Sequence, residues 1–158
     1  KYAGEIAAAQ VQSTIVRTNF VGCSKVSYRE SLTDWVYTSL KNGKNVQVLT
    51  DVLFSPLSMK TLVEMLELVI RYKPVGVYNL GSNEGLSKAD FDFEFAQRLG
   101  LSTDSMSRID SSEANFFRAY RPKDMRMDCS KFEKLFGIKL PTLVEEITIS
   151  MEDYYEKT

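Results

Sequence analysis

Side chains able to do chemistry fall at four places along the chain. Lys1 opens the stretch Lys1-Tyr2-Ala3-Gly4-Glu5, Arg17-Thr18-Asn19-Phe20 ends a β-branched run, Asp51 begins the segment Asp51-Val52-Leu53-Phe54-Ser55-Pro56-Leu57, and Arg121-Pro122 follows Arg118 in a polar stretch. Lys1 taken alone is a solvated ammonium. Tyr2 does not complete a proton-transfer pair with it, because adjacent helical positions point about 100° apart. Arg17 has two readings, an ion-pair partner that holds the strand end or a ligand contact. Asp51 reads as a carboxylate that organises its loop by accepting backbone amides. The planar fork of Arg121 suits a diphosphate better than a lysine point charge would, with surface ion pairing as the equal alternative.

Composition removes several other chemistries. The chain has no histidine, which excludes a Ser-His triad and argues against a zinc site. Cys23 and Cys129 are the two cysteines, far apart and without ligand spacing, so they read as buried or idle thiols. Twenty basic and twenty-one acidic side chains leave a net charge of −1 with no block of one sign, which makes nucleic acid an unexpected partner. Apolar runs such as Ile6 to Ala9 fall far short of the roughly 20 residues a membrane span needs, so no membrane is expected and the location is read as cytoplasmic. Gly81-Ser82-Asn83-Glu84-Gly85 follows a strand but lacks the Gly-x-Gly-x-x-Gly spacing that seats a dinucleotide diphosphate.

The elements that must position these residues alternate between strand and helix. Lys1 to Gln10 reads as the last turns of a helix, and Thr14-Ile15-Val16 as a buried parallel-type strand carrying Arg17 to Phe20 at its C-terminal end, where ligands of open α/β sheets gather. Ser31 caps a helix with Leu32, Trp35, Val36 and Leu40 on one face, and Asn45 to Thr50 alternates as a strand with Val46, Val48 and Thr50 on one side. Ser58 caps a helix bearing Leu62, Met65, Leu66, Val69 and Ile70. Gly76 to Gly81 reads as a short strand, and Ser87 with Asp90 caps a helix presenting Phe91, Phe95 and Leu99. After a polar loop through Ser112 and the Arg121-Pro122 pair come a Ser130-capped helix to Phe136 and a helix from about Thr142 carrying Leu143, Ile147 and Met151. A chain of 158 residues is one domain's worth of protein, and this order argues α/β with parallel pairing.

In this order the segments Lys1-to-Glu5, Arg17-Thr18, Tyr78-Asn79-Leu80-Gly81 and Arg121-Pro122 resemble the C-terminal half of the extended short-chain dehydrogenase/reductases. Within that family the pattern is most similar to sugar-nucleotide reductases of the dTDP-4-dehydrorhamnose reductase type. The resemblance implies the C-terminal part of a Rossmann-like NAD(P)-binding fold with a small, mainly helical substrate lobe. Residues 1–158 would be a single partial domain whose N-terminal dinucleotide-binding half lies elsewhere. It implies that Lys1 is the catalytic lysine and a cofactor contact, hydrogen-bonding the nicotinamide ribose and stabilising a tyrosinate four residues upstream. Phe20 then takes the place of the family's sugar-contacting tryptophan, where its ring stacks on a sugar face; packing beneath a loop is the alternative. The Arg121-Pro122 pair matches the family's Arg-Pro, while a substrate contact by Arg121 is inferred from the fit of its guanidinium to a diphosphate.

The expected parent function is reduction of a keto sugar nucleotide by NAD(P)H, the fragment alone being inactive and not binding the dinucleotide tightly. Only Asp51 and Pro56 persist from the family's Asp-Gln-aromatic-Gly-Ala-Pro-Thr loop, which leaves room for a related epimerase or dehydratase, or a non-catalytic regulatory subunit. The expected partners are a nucleotide-sugar substrate and, over strands left without neighbours, the missing half or a second copy of the chain.

Overall fold

A computed structural model of the chain describes residues 1–26, 28–114 and 122–155. Helix α1 (Tyr2–Ala8) leads into β1 (Thr14–Thr18) and the short β2 (Phe20–Val21), followed by α2 (Leu32–Lys41) and β3 (Val46–Leu49). The two-residue strands β4 (Leu53–Phe54) and β5 (Leu57–Ser58) precede α3 (Met59–Tyr72), β6 (Gly76–Leu80), β7 (Leu86–Ser87) and α4 (Lys88–Arg98). Then come β8 (Met106–Ile109), β9 (Asp124–Met125), α5 (Ser130–Phe136) and α6 (Leu143–Tyr155).

The expected parallel pairing is present, distributed over small sheets. β1 runs parallel to β6 from Thr14 opposite Gly76 to Thr18 opposite Leu80. The two strands expected to lack neighbours are therefore each other's partner, a long-range pairing that neither segment signals locally. β2 pairs parallel with β5 and β3 with β8, while β4 lies between an antiparallel β7 and a parallel β9. The stretch read as a polar loop before Ser112 thus contains β8, and the Asp51-to-Leu57 loop contains β4 and most of its turn into β5.

Helix starts follow the local chemistry at three places. Ser31, Ser58 and Ser87 each accept a hydrogen bond from the backbone N–H three residues on, and at Ser31 the Asp34 carboxylate bonds back to complete a capping box. Ser130 departs from expectation. The N-cap of α5 is Cys129, and the Ser130 N–H donates to Asp128 Oδ1, so Asp128 satisfies the helix start instead.

Helical periodicity places most of the core correctly. Val36, Phe91, Phe95, Leu143, Ile147, Met151 and Tyr154 pack α2, α4 and α6 together, with the rings of Phe91 and Phe95 stacked 6.2 Å apart. Leu62, Val69, Tyr78, Leu80 and Phe132 form a second cluster joining α3, β6 and α5. Two residues assigned to these faces point elsewhere. Trp35 is 37% exposed beside fully buried Val36, and Ile70 is 72% exposed beside buried Val69. Each is one residue from a core position and so turns about 100° away from it. In β3 the alternation of buried Val46, exposed Gln47 and buried Val48 holds. Leu49 is also buried, against Val52 and Ala114, and Thr50 is exposed.

Candidate functional site

The site is built where β1 hands over to β2. After Thr18 the chain leaves the β6 edge, and β2 pairs instead with β5, so Phe20 sits opposite Leu57 at the entrance to α3. Phe20 is 57% exposed and lines a cavity of about 770 Å³ with Lys25, Arg29, Ser58, Met59 and Asp153. An exposed aromatic ring on a concave surface offers a stacking face, so the packing alternative for Phe20 is not the arrangement seen. Gly22 forms the next piece of wall at φ +144°, where a side chain would be strained and a Cβ would stand 3.4 Å from Met59 Cγ.

A buried polar network holds this wall in place. Asp34, in the first turn of α2, accepts hydrogen bonds from Ser24 N at 2.7 Å, Ser31 Oγ at 2.8 Å, Ser31 N at 3.3 Å and Tyr154 Oη at 2.9 Å. Burial acts to raise the Asp34 pKa, but the donors from Ser24, Ser31 and Tyr154 outweigh it and hold the carboxyl well below its ordinary range. Tyr154 moves the other way. Burial and the adjacent carboxylate push its phenol up, so it stays a protonated donor. One carboxylate therefore ties the loop after Gly22 to α2 and to the end of α6.

The charges at the cavity differ in how they are engaged. Lys25 pairs with Asp153 at 3.1 Å and Lys60 with Glu152 at 3.4 Å. Arg29 forms no ion pair among the described residues, which leaves its guanidinium available to an anion at the same cavity as Phe20. Sequence reasoning passed over Arg29, because a lone arginine between Tyr28 and Glu30 carries no motif. Only the fold brings it beside Phe20.

The other candidates divide clearly. Lys1 is the exposed N-cap of α1, its carbonyl accepting the Glu5 N–H at 3.2 Å, and it does not line the cavity. Arg17 takes the ion-pair role, its guanidinium gripping both Glu5 oxygens at 2.5 to 3.1 Å and so pinning α1 to β1. Asp51 organises its loop. It accepts Ser111 N at 2.9 Å and Ser111 Oγ at 2.6 Å and pairs with Lys123 at 2.6 Å, partners that hold its pKa low, Lys123 foremost. Arg121 lies outside the described residues. α1 buries none of its seven residues, and its Tyr2 and Ile6 are 71% and 49% exposed.

The glycine loop after β6 is committed to packing. A Cβ on Gly81 would approach Ser55 O to 2.5 Å, and one on Gly85 would approach Phe54 O to 2.5 Å. Both glycines permit the loop to lie against the β4–β5 turn. No helix of the described structure is long and apolar enough to cross a membrane.

Comparison with known proteins adds the following. A family model described as the RmlD substrate binding domain matches residues 1–156. Among solved structures, the chain is similar to a dTDP-4-dehydrorhamnose reductase from Bacillus anthracis crystallised with NADP, at 20% identity and TM-score 0.84, covering 100% of this chain and 54% of that one. A hypothetical dTDP-4-dehydrorhamnose reductase from Sulfolobus tokodaii matches at 24% identity and TM-score 0.75, covering 92% and 50%. A dTDP-glucose 4,6-dehydratase from Bacillus anthracis in complex with NAD matches at 16% identity and TM-score 0.76, covering 99% and 50%. The chain spans about half the length of these structures, with which it shares its α/β fold. No curated protein matches the chain by sequence.

Proposed function

The chain belongs to the RmlD substrate binding domain family, and from that membership we propose that it is the substrate-binding half of an NAD(P)-dependent sugar-nucleotide reductase of the dTDP-4-dehydrorhamnose reductase type. The observation that carries the proposal is the exposed Phe20 ring sharing one cavity with Arg29. The ring stacks on the apolar face of the sugar, and the guanidinium engages the diphosphate by paired N–H donors. Phenylalanine lacks the indole N–H of the family's tryptophan, so the sugar is held by stacking without that hydrogen bond.

The remaining roles concern the partner half. Lys1, at the head of α1, holds the place of the family's lysine; its ammonium lowers the pKa of a tyrosine one helical turn earlier and orients the nicotinamide ribose. NAD(P)H supplies the hydride when bound, and its diphosphate is seated by a glycine-rich turn in the N-terminal half. The exposed helix α1 and the strands β1 and β6, each with one strand partner among the described residues, suit that half as their cover.

The test is NADPH oxidation by this chain together with a dinucleotide-binding half, with dTDP-4-dehydrorhamnose as substrate. The expected result is turnover that falls about 100-fold or more in Lys1→Met. Phe20→Ala is expected to raise KM roughly tenfold with a smaller effect on kcat. No oxidation of NADPH, or full rate in Lys1→Met, contradicts the proposal. Interconversion of sugar nucleotides without net oxidation of NADPH would move the reading to the epimerase or dehydratase alternative.

A further inference from the structure

A second cavity of about 860 Å³ lies among α2, β3, α4 and the segment entering β8, away from Phe20. Asp92 of α4 is 2% exposed yet lines it. Its Oδ1 is buried and has no hydrogen-bond partner among the described residues. Buried carboxylates are ordinarily satisfied, and leaving one unpaired is costly. The contrast with Glu146 is informative. That residue is also fully buried with one unpartnered oxygen, but its Oε2 accepts Ser58 N at 2.8 Å and Thr61 Oγ1 at 3.0 Å, a structural task at the start of α3. Asp92 has no such task.

The other walls of this cavity define what could satisfy Asp92. Trp35, the chain's single tryptophan, contributes an indole that is 37% exposed and absent from the core clusters. Asp104 adds a second carboxylate, and Lys88 is the one cation on the lining, its Nζ 5.9 Å from the centre of the Phe54 ring. The lining therefore carries an excess of negative charge whenever Asp92 is ionised. A metal ion is poorly served, since no group of three acidic, cysteine or histidine side chains converges among the described residues. An aromatic wall beside a buried carboxylate instead suits a compact organic cation, whose N–H donors satisfy the carboxylate while its body lies on the indole.

We propose that this cavity is a second ligand site, which takes a small planar or short-chain amidinium, guanidinium or ammonium compound with Asp92 as its counter-ion and Trp35 as its stacking wall. The proposal does not depend on the reading of the Phe20 cavity. Because Trp35 is the only tryptophan, its fluorescence and its indole N–H resonance report on this site alone.

The experiment titrates the purified chain with benzamidine, using benzamide and benzoate as neutral and anionic probes of the same shape. Saturable change in Trp35 emission and in the indole N–H shift is expected for benzamidinium, with affinity at least about tenfold above that for benzamide and with benzoate silent. Asp92→Asn, which keeps the side chain's shape, is expected to abolish that preference while its circular dichroism matches the parent. Asn45→Ala, at the cavity rim, serves as a second variant and should weaken binding by less than about threefold, since it removes neither charge nor ring. Equal response to benzamidinium and benzamide, an unchanged preference in Asp92→Asn, or no saturable response to benzamidinium would each overturn the proposal.

Discussion

Asp34 in the first turn of α2 and Asp92 one turn further along α4 are both buried and meet opposite fates. Asp34 collects donors from Ser24, Ser31 and Tyr154 and stays ionised with its pKa held low. Asp92 Oδ1 has no partner among the described residues, and burial, only partly offset by Lys88, pushes its pKa up to about 7. Burial alone penalises the charge in both cases. The donors from the loop after Gly22, the start of α2 and the end of α6 decide which carboxylate becomes a structural anchor and which is left facing a cavity.

Titration tests the difference between the two carboxylates. Between its ordinary pKa of 3.8 and about 7, Asp92 holds a proton in the folded chain while the unfolded chain is ionised. Its contribution to stability is therefore full at low pH, declines as pH rises through this window, and levels off above about 7. Comparing urea unfolding of the parent with Asp92→Asn across pH 4 to 8 should reveal a difference of up to about 4 kcal/mol that grows with pH. A pH-independent difference would mean that Asp92 is solvated or paired.

Asp34 behaves with the opposite sign. Its folded pKa is depressed, so its stabilisation is present above the ordinary carboxylate range and is lost as pH falls through the folded value. Asp34→Ala at neutral pH strands the Ser24 and Ser31 donors and the Tyr154 hydroxyl, and is expected to cost about 3 kcal/mol by urea unfolding. Loss below about 0.5 kcal/mol would show that the loop after Gly22 does not rely on this carboxylate.

The legibility of the chain follows the range of the forces involved. The serine caps at Ser31, Ser58 and Ser87 are written in three or four consecutive residues, as are the apolar stripes of α4 and α6, and these could be read directly. Strands of two residues such as β4, β5 and β9 have no period to detect, and β8, Met106-Ser107-Arg108-Ile109, looks like polar loop until β3 pairs with it. Of the proposed site residues, Phe20 was placed at a strand end by the β-branched run before it and singled out by the family resemblance. Arg29 was not, since it comes to line the same cavity as Phe20 only through the path of the chain between β2 and α2. Asp92 was hidden for a related reason. Between Phe91 and Phe93 on a helix, a carboxylate reads as part of a solvated face, and only the packing of β3 and β8 against α4 shows it buried.

The proposed function places the sugar nucleotide in the Phe20 cavity rather than in the cavity at Trp35. Chemical-shift mapping of a dTDP-sugar on the isotope-labelled chain tests this directly. The predicted result is saturable shifts at Phe20, Gly22, Arg29 and Ser58, with the Trp35 indole N–H unmoved. Shifts centred on Trp35 and Ser105, or none at Phe20 and Arg29 at saturating nucleotide, would contradict the assignment and the function drawn from it.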